Sequence, residues 1–191
     1  MRREAPDSAL AGQAAAGDHQ AFAMLVTRHK DSLYRFLRRY VGDPDEAYEA
    51  VQEAFIAAWS ALKHYDPERP FGAWLRTIAI NKARDRGRRL AVRRLLFGSH
   101  GLDEEALAVH DPAPGLEESL DEAHQARRVD IAIQSLPTRL KESLLLTAFD
   151  GYSQAEAARI LGVSPKTIET RVYRARMRLA KWLEGERRSI S

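Results

Sequence analysis

The chain of 191 residues is long enough for one ordinary domain or two small ones, and with 45% hydrophobic and 30% charged residues it should fold in water. Having no cysteine, it can form neither a disulfide nor a thiolate zinc site, and no uncharged stretch approaches the roughly 18 residues that span a bilayer. The start, Met1 to Gln13, lacks the apolar core of a secretory signal, so the expected location is cytoplasmic.

The net charge is only +3, but the charges are segregated. Residues 43 to 53 hold five acids (Asp43, Asp45, Glu46, Glu49, Glu53) and no lysine or arginine, and residues 103 to 122 hold eight acids and again neither base. Residues 76 to 94 carry eight lysines or arginines against Asp85 alone, and residues 166 to 188 carry eight against three acids. Blocks of this kind point to two basic surfaces for phosphates and to acidic surfaces for another partner.

Strand signals are nearly absent, because apolar and polar residues do not alternate for long and no Asn-Gly or Asp-Gly hairpin stands between β-branched runs. After an Ala-rich patch at residues 9 to 16, Phe22, Leu25, Val26, Leu33, Phe36 and Leu37 describe one face of a helix ending near Tyr40, before the breaker Gly42-Asp43-Pro44. A second helix, roughly Asp45 to Lys63, buries Ala47, Val51, Ala54, Phe55, Ala58, Trp59 and Leu62 and turns Asp45, Glu49, Gln52 and Glu53 outward. His64 to Pro70 is a loop by its two prolines, and a third helix starts at Phe71 and becomes basic in its C-terminal half. Trp74 stands at core spacing with Phe71 and Ile78 and reads as structural. From about Leu95 to Ser119 the pattern fails across Gly98, Gly101, Pro112, Pro114 and Gly115, and it returns in Leu120 to Leu136, in Thr138 to Phe149 and in two shorter segments to Leu183. The expected fold is all-α. Two small helical domains, residues 1–94 and 119–191, are joined by a flexible acidic linker over 95–118.

The last domain ends in a helix-turn-helix. Ser153-Gln154-Ala155-Glu156 is a capping box that starts one helix, and Gly162 stops it in the left-handed conformation that glycine tolerates. Ser164 then caps a second helix with Pro165 at its first position. In that helix Ile168, Val172, Ala175 and Leu179 face the core. Lys166, Thr167, Thr170, Arg171 and Arg174 are left for base edges and phosphates in the major groove, and Arg176, further along, for the DNA backbone. Taken alone, such a unit is compatible with repressors, response regulators and sigma factors.

Its company discriminates. Glu49-Ala50-Val51-Gln52-Glu53-Ala54-Phe55 with Trp59, then Phe71 with Trp74-Leu75 and Ile78-Ala79-Ile80-Asn81, then the basic run Lys82 to Arg89 resemble the core domain of bacterial extracytoplasmic-function (ECF) sigma factors. The stretch from Leu136 to Leu179 resembles the same family's promoter-reading domain. The sequence around Glu68 to Leu75, Asn81 to Asp85 and Leu95 to Gly98 looks closest to members that govern transition-metal resistance.

The resemblance implies a role for each surface. In this family the acidic face of the second helix docks on core RNA polymerase, which assigns Asp45, Glu49, Gln52 and Glu53 to that contact; Tyr48-Glu49 stands where the family usually has Glu-Asp. The loop Lys63 to Pro70 and the helix after it match the part that melts the “−10” element and holds a flipped base, with Asn81 toward a base edge and Lys82, Arg84, Arg86, Arg88 and Arg89 on phosphates. The C-terminal reader would contact the “−35” element, and Glu169 stands where many relatives have lysine. The acidic linker either threads the polymerase's active-site channel, as in relatives, or is an ordinary solvated tether. An anti-sigma factor, membrane-anchored in most relatives, is the further expected partner.

No catalytic constellation competes. The six histidines (19, 29, 64, 100, 110 and 124) are scattered without a partner at i+3 or i+4, and there is neither a Gly-rich phosphate loop nor a nucleophile motif. The expectation is a transcription initiation factor that is not an enzyme, with no cofactor, metal or small-molecule substrate, nucleoid-associated through polymerase. The rival readings are a free-standing helix-turn-helix factor and a sigma-like decoy that sequesters a regulator.

Overall fold

The structure, a computed structural model, describes residues 5–97 and 117–189, and among them every regular element is helical. In chain order these are α1 (Asp7–Ala15), α2 (His19–Val41), α3 (Pro44–Ala61), α4 (Phe71–Phe97), α5 (Glu117–Gln134), α6 (Thr138–Leu144), α7 (Gln154–Leu161) and α8 (Pro165–Ser189). A 3-10 turn, Leu62–His64, follows α3, and a π-helical turn, Leu145–Phe149, follows α6. The described residues form two compact units, 5–37 with 45–97 and 38–44 with 117–189.

Most of the stretch expected as a linker, residues 98–116, lies outside the described residues. Its two ends are helical. Leu95, Leu96 and Phe97 contain no breaker and continue α4 to Phe97, and α5 starts at Glu117.

In the first unit Asp18 starts α2 by accepting from the backbone N–H groups of Gln20 and Ala21 at 2.8 and 3.1 Å. Leu25, Leu33, Phe36 and Leu37 bury the inner face of α2, and Gly42, at φ 95°, turns the chain after it. α3 buries Ala47, Ala50, Ala54 and Ala58, a row of small residues that lets neighbouring backbones approach closely, with Val51 and Phe55 beside them. α4 closes the core with Phe71, Leu75, Ala79 and Ile80.

The Ala-rich patch is the helix α1, which sequence periodicity did not reveal. Nine residues are too few for an isolated helix in water. Here Leu10, Ala11 and Ala14 are buried as α1 packs on the 3-10 turn and α4. An ionic tie fixes its start: Asp7 accepts from Arg28 and lies 2.7 Å from Nε2 of His29. Burial alone would raise the Asp7 carboxyl, but the hydrogen bonds from Arg28 and His29 outweigh it and hold the group below the usual carboxylate range.

The second unit builds its core from Ala132 and Ile133 on α5, Leu136, Leu144 to Leu146, Ala157, Ala158 and Ile160 on α7, and Ile168, Val172 and Ala175 on α8. The helix expected over Thr138 to Phe149 is divided, because the backbone widens at the π-helical turn, where Asp150 N–H bonds the Leu145 carbonyl at 3.0 Å.

Candidate functional site

The outer face of α3 carries the expected acidic set. Asp45, Glu49 and Gln52 are exposed, and the Glu53 side chain is 41% exposed. The spacing 45, 49, 52 and 53 keeps them on one side of the helix. On that side stand two side chains that the polar pattern hid, Tyr48 and Ile56, which are 61% and 68% exposed. The signal that could have found them is the four-residue step through 48, 52 and 56. Acids interleaved with exposed large apolar groups suit a protein contact, since phosphates offer apolar side chains nothing.

The six residues expected to hold DNA on α4 fall on two stripes. Lys82, Arg86 and Arg89 recur at four and three, and so do Asn81, Arg84 and Arg88 at three and four. The first stripe lies against α3. There an open groove of about 630 Å³ is lined by Glu53, Ile56, Ser60, His64, Lys82 and Arg89. On the second stripe Asn81 and Arg88 are exposed and Arg84 is half-buried; Arg88 is paired with Asp85.

Arg86 departs from the expected phosphate role. Its Nη2 donates to Glu49 at 2.6 Å and its Nη1 to Glu53 at 3.5 Å, across to α3. The bond to Glu49 raises the guanidinium's already high pKa. Its buried Nε has no hydrogen-bond partner among the described residues. Arg76, counted in the basic run, is also diverted: it is 3% exposed, donates to the Ser32 carbonyl and hydroxyl at 3.0 and 2.8 Å, and lies over the Phe36 ring.

The loop between α3 and α4 is held by aromatic packing. The Tyr65 ring meets Phe71 and Trp74 at 5.6 and 5.0 Å, and its hydroxyl donates to the Arg69 carbonyl. Asp66 accepts from Glu68 N–H at 3.0 Å, an Asx turn. Trp74, half-buried, packs against Tyr65 and Phe71 and so ties the loop to the start of α4.

The C-terminal reader forms as its local signals require. Ser153 accepts from Glu156 N–H at 3.2 Å and the Glu156 carboxylate accepts from Ser153 N–H at 2.9 Å, completing the capping box. The Glu156 carboxylate also accepts from the Ser153 hydroxyl at 2.7 Å, and that bond, with the one from Ser153 N–H, holds its carboxyl below the usual value. Gly162, at φ 66°, ends α7, and Ser164 accepts from Thr167 N–H at the start of α8. Ile168, Val172 and Ala175 are buried and Leu179 is half-buried, so the inner face of α8 is as expected.

On its outer side Lys166, Thr170, Arg174 and Arg176 are exposed, Arg171 is half-buried, and the Thr167 hydroxyl is engaged with that of Ser164 at 2.9 Å. At 3.6 residues per turn, Arg171 and Arg176 lie about 140° apart around the axis, on opposite flanks. Between them stand Tyr173 and Met177, 65% and 55% exposed, which the charge pattern passed over. Lys166 is paired with Glu169 at 2.9 Å, so one of the reader's cations is partly neutralised by its own helix.

Two family profiles match the chain: Sigma-70 region 2 over residues 25–93 and Sigma-70 region 4 over residues 126–179. The RNA polymerase sigma factor CnrH of Cupriavidus metallidurans is 40% identical over 188 residues, 97% of this chain and 98% of its own length. The ECF RNA polymerase sigma-E factor of Escherichia coli K12 is 32% identical over 187 residues, 92% of this chain and 93% of its own. Among solved structures, CnrH in complex with the cytosolic domain of CnrY matches with a TM-score of 0.68 at 34% identity, covering 94% of this chain and 97% of that one. The sigma factor RpoE in complex with the anti-sigma factor NepR from Bartonella quintana matches with a TM-score of 0.69 at 27% identity, covering 85% and 96%. With both profiles matched in order along the chain and relatives of this identity covered over nearly their whole length, the chain belongs to the ECF branch of the sigma-70 family of RNA polymerase sigma factors.

Proposed function

We propose that the chain docks on core RNA polymerase through Asp45, Glu49, Gln52 and Glu53 of α3, opens promoter DNA with the 63–70 loop and α4, and selects promoters with α8. The observation that carries this reading is the sorting of surfaces: an acidic face with exposed Tyr48 and Ile56 on α3, and cationic side chains on α4 and at the start of α8. The first suits a protein, the others phosphate and base edges.

Separating strands requires a flipped base to be held outside the stack, at a cost of a few kcal/mol met by stacking and hydrogen bonds. Asn81 offers both a donor and an acceptor, and Lys82 and Arg89, on the rim of the α3–α4 groove, hold the adjoining phosphates. Arg84 and Arg88 extend the phosphate path. In α8, Lys166, Thr170, Arg171 and Arg174 face the upstream element, Thr167 supports the helix start, and Arg176 reaches the backbone from the other flank. Each DNA contact is weak alone and becomes strong when polymerase links the two.

The factor works without covalent chemistry of its own, in the cytoplasm and at the nucleoid through polymerase; among the described residues no helix is long and apolar enough to cross a membrane. An anti-sigma factor holds it inactive. Support comes from the two structural relatives, one solved with the anti-sigma factor NepR and one with the cytosolic domain of CnrY, and a partner with a separate cytosolic domain fits a membrane-anchored inhibitor. The factor's targets would be transition-metal resistance genes, a reading supported by the resemblance of Glu68 to Leu75, Asn81 to Asp85 and Leu95 to Gly98 to members that govern such resistance.

Reconstituted transcription tests the reading. Core polymerase plus this chain, on fragments of the source genome, should give discrete start sites absent with core alone. No specific starts, or tight specific duplex binding by the chain alone to which polymerase adds nothing, would sink it.

A further inference from the structure

Arg86 sits in the basic run of α4 and has the composition of a phosphate contact, yet its geometry serves another purpose. One guanidinium spans two carboxylates of α3, at 2.6 Å to Glu49 and 3.5 Å to Glu53, with its side chain only 25% exposed. Glu46 adds a third carboxylate to the local field. These three acids act on Arg86 itself, so a phosphate reaching its guanidinium would have to displace a carboxylate, whereas Lys82 and Arg89, one turn away on either side of the same stripe, face the groove beside Glu53. The carboxylates themselves stay open: Glu49 is 60% and Glu53 41% exposed, so each can take a second donor from outside.

We infer that Arg86 is a positioning residue for polymerase docking, a brace that holds Glu49 and Glu53 one turn apart on α3 for a cationic protein helix. This rests on the reading of α3 as the docking face. Free glutamate side chains sample many rotamers, and docking must immobilise them at a cost in entropy. A guanidinium that already fixes both removes part of that cost before the partner arrives, and its planar fork does so better than an ammonium.

The test is a titration of core polymerase with the full-length chain and its variants, coupled to a salt series on the assembled holoenzyme. Arg86→Ala should weaken core binding about tenfold, within the range over which networked side chains couple. Arg86→Lys, whose ammonium cannot span both acids, should lie between it and wild type, and it carries the test should Arg86→Ala fail to fold. In a Glu49→Ala/Glu53→Ala background, Arg86→Ala should add nothing, since its effect runs through those carboxylates. The salt slope of promoter binding should keep its wild-type value.

Wild-type core affinity in Arg86→Ala, while Glu49→Ala/Glu53→Ala weakens binding, overturns the brace and leaves the docking face intact. Additive losses, or a salt slope shallower by about 0.9, make Arg86 a phosphate contact and also overturn it. Wild-type core affinity in Glu49→Ala/Glu53→Ala overturns the docking face itself.

Discussion

α4 and α8 are both long basic helices, but what surrounds their cations differs. On α4, Arg76 is buried against Ser32, Arg86 is bound to Glu49 and Glu53, and Arg88 is paired with Asp85. On α8, Lys166 is paired with Glu169, while Arg171, Arg174 and Arg176 have no ion-pair partner among the described residues. Equal charge along the sequence therefore gives unequal capacity for phosphate. Neighbouring helices take two of these arginines, α2 holding Arg76 and the acidic α3 holding Arg86, while Asp85 of α4 itself pairs Arg88.

The largest effect that would sharpen this contrast lies under α8. Ile168 is fully buried, so Ile168→Ala should cost about 2–5 kcal/mol in that unit. Thermal unfolding should show the loss, and promoter reading should fall while core polymerase binding through α3 persists. Loss of both would mean that the two helices do not act through separate surfaces.

Next is the reader's own chemistry. Arg171→Ala should relax promoter selection by about 1–3 kcal/mol if that side chain reads a base, a change visible as altered preference among promoter variants. A uniform weakening across all promoters would instead make Arg171 a phosphate contact and bring α8 closer to α4.

Asp7→Asn removes the ionic tie of α1 and should cost about 1–2 kcal/mol near neutral pH. Because the folded carboxyl is held below its usual value, wild type's advantage is fully present above the ordinary carboxylate range, about pH 4, and is lost as pH falls through the lowered value. Unfolding curves of both proteins at neutral and acid pH check this; a gap that widens in acid would contradict it.

The smallest effect concerns Lys166, the cation of α8 paired with Glu169. Glu169→Gln frees Lys166, so the salt dependence of promoter binding should steepen by about 0.9 in slope. An unchanged slope would mean that Lys166 makes no phosphate contact in either protein.

The helix-turn-helix was legible because its signals are local. Ser153 and Glu156 close a capping box, Gly162 takes the left-handed turn, and Ser164-Pro165 restarts the helix within a dozen residues. The all-helical class and the burial of the α2, α3 and α4 faces were legible for the same reason, since helical periodicity spans only a few turns. The role of Arg86 was not, because its partners lie 33 and 37 residues away and only the packing of α3 on α4 brings them together. α1 stayed hidden because alanines carry no amphipathic signature; its helix exists by docking and by the distant tie from Asp7 to Arg28 and His29. Tyr48 showed itself only as a departure from the family's Glu-Asp, and the exposure of Ile56, Tyr173 and Met177 was not legible, because a pattern of charge on an outer face carries no sign of apolar side chains there.

The central claim is a division of labour between α3 and α8, and the affinity of core polymerase for two variants tests it most directly. Glu53→Ala should weaken core binding and leave promoter preference unchanged once polymerase is saturated. Arg171→Ala should bind core as wild type does and lose promoter preference. If both variants lose core affinity alike, or both keep it and fail only in promoter selection, the two surfaces do not divide the work and the account is wrong.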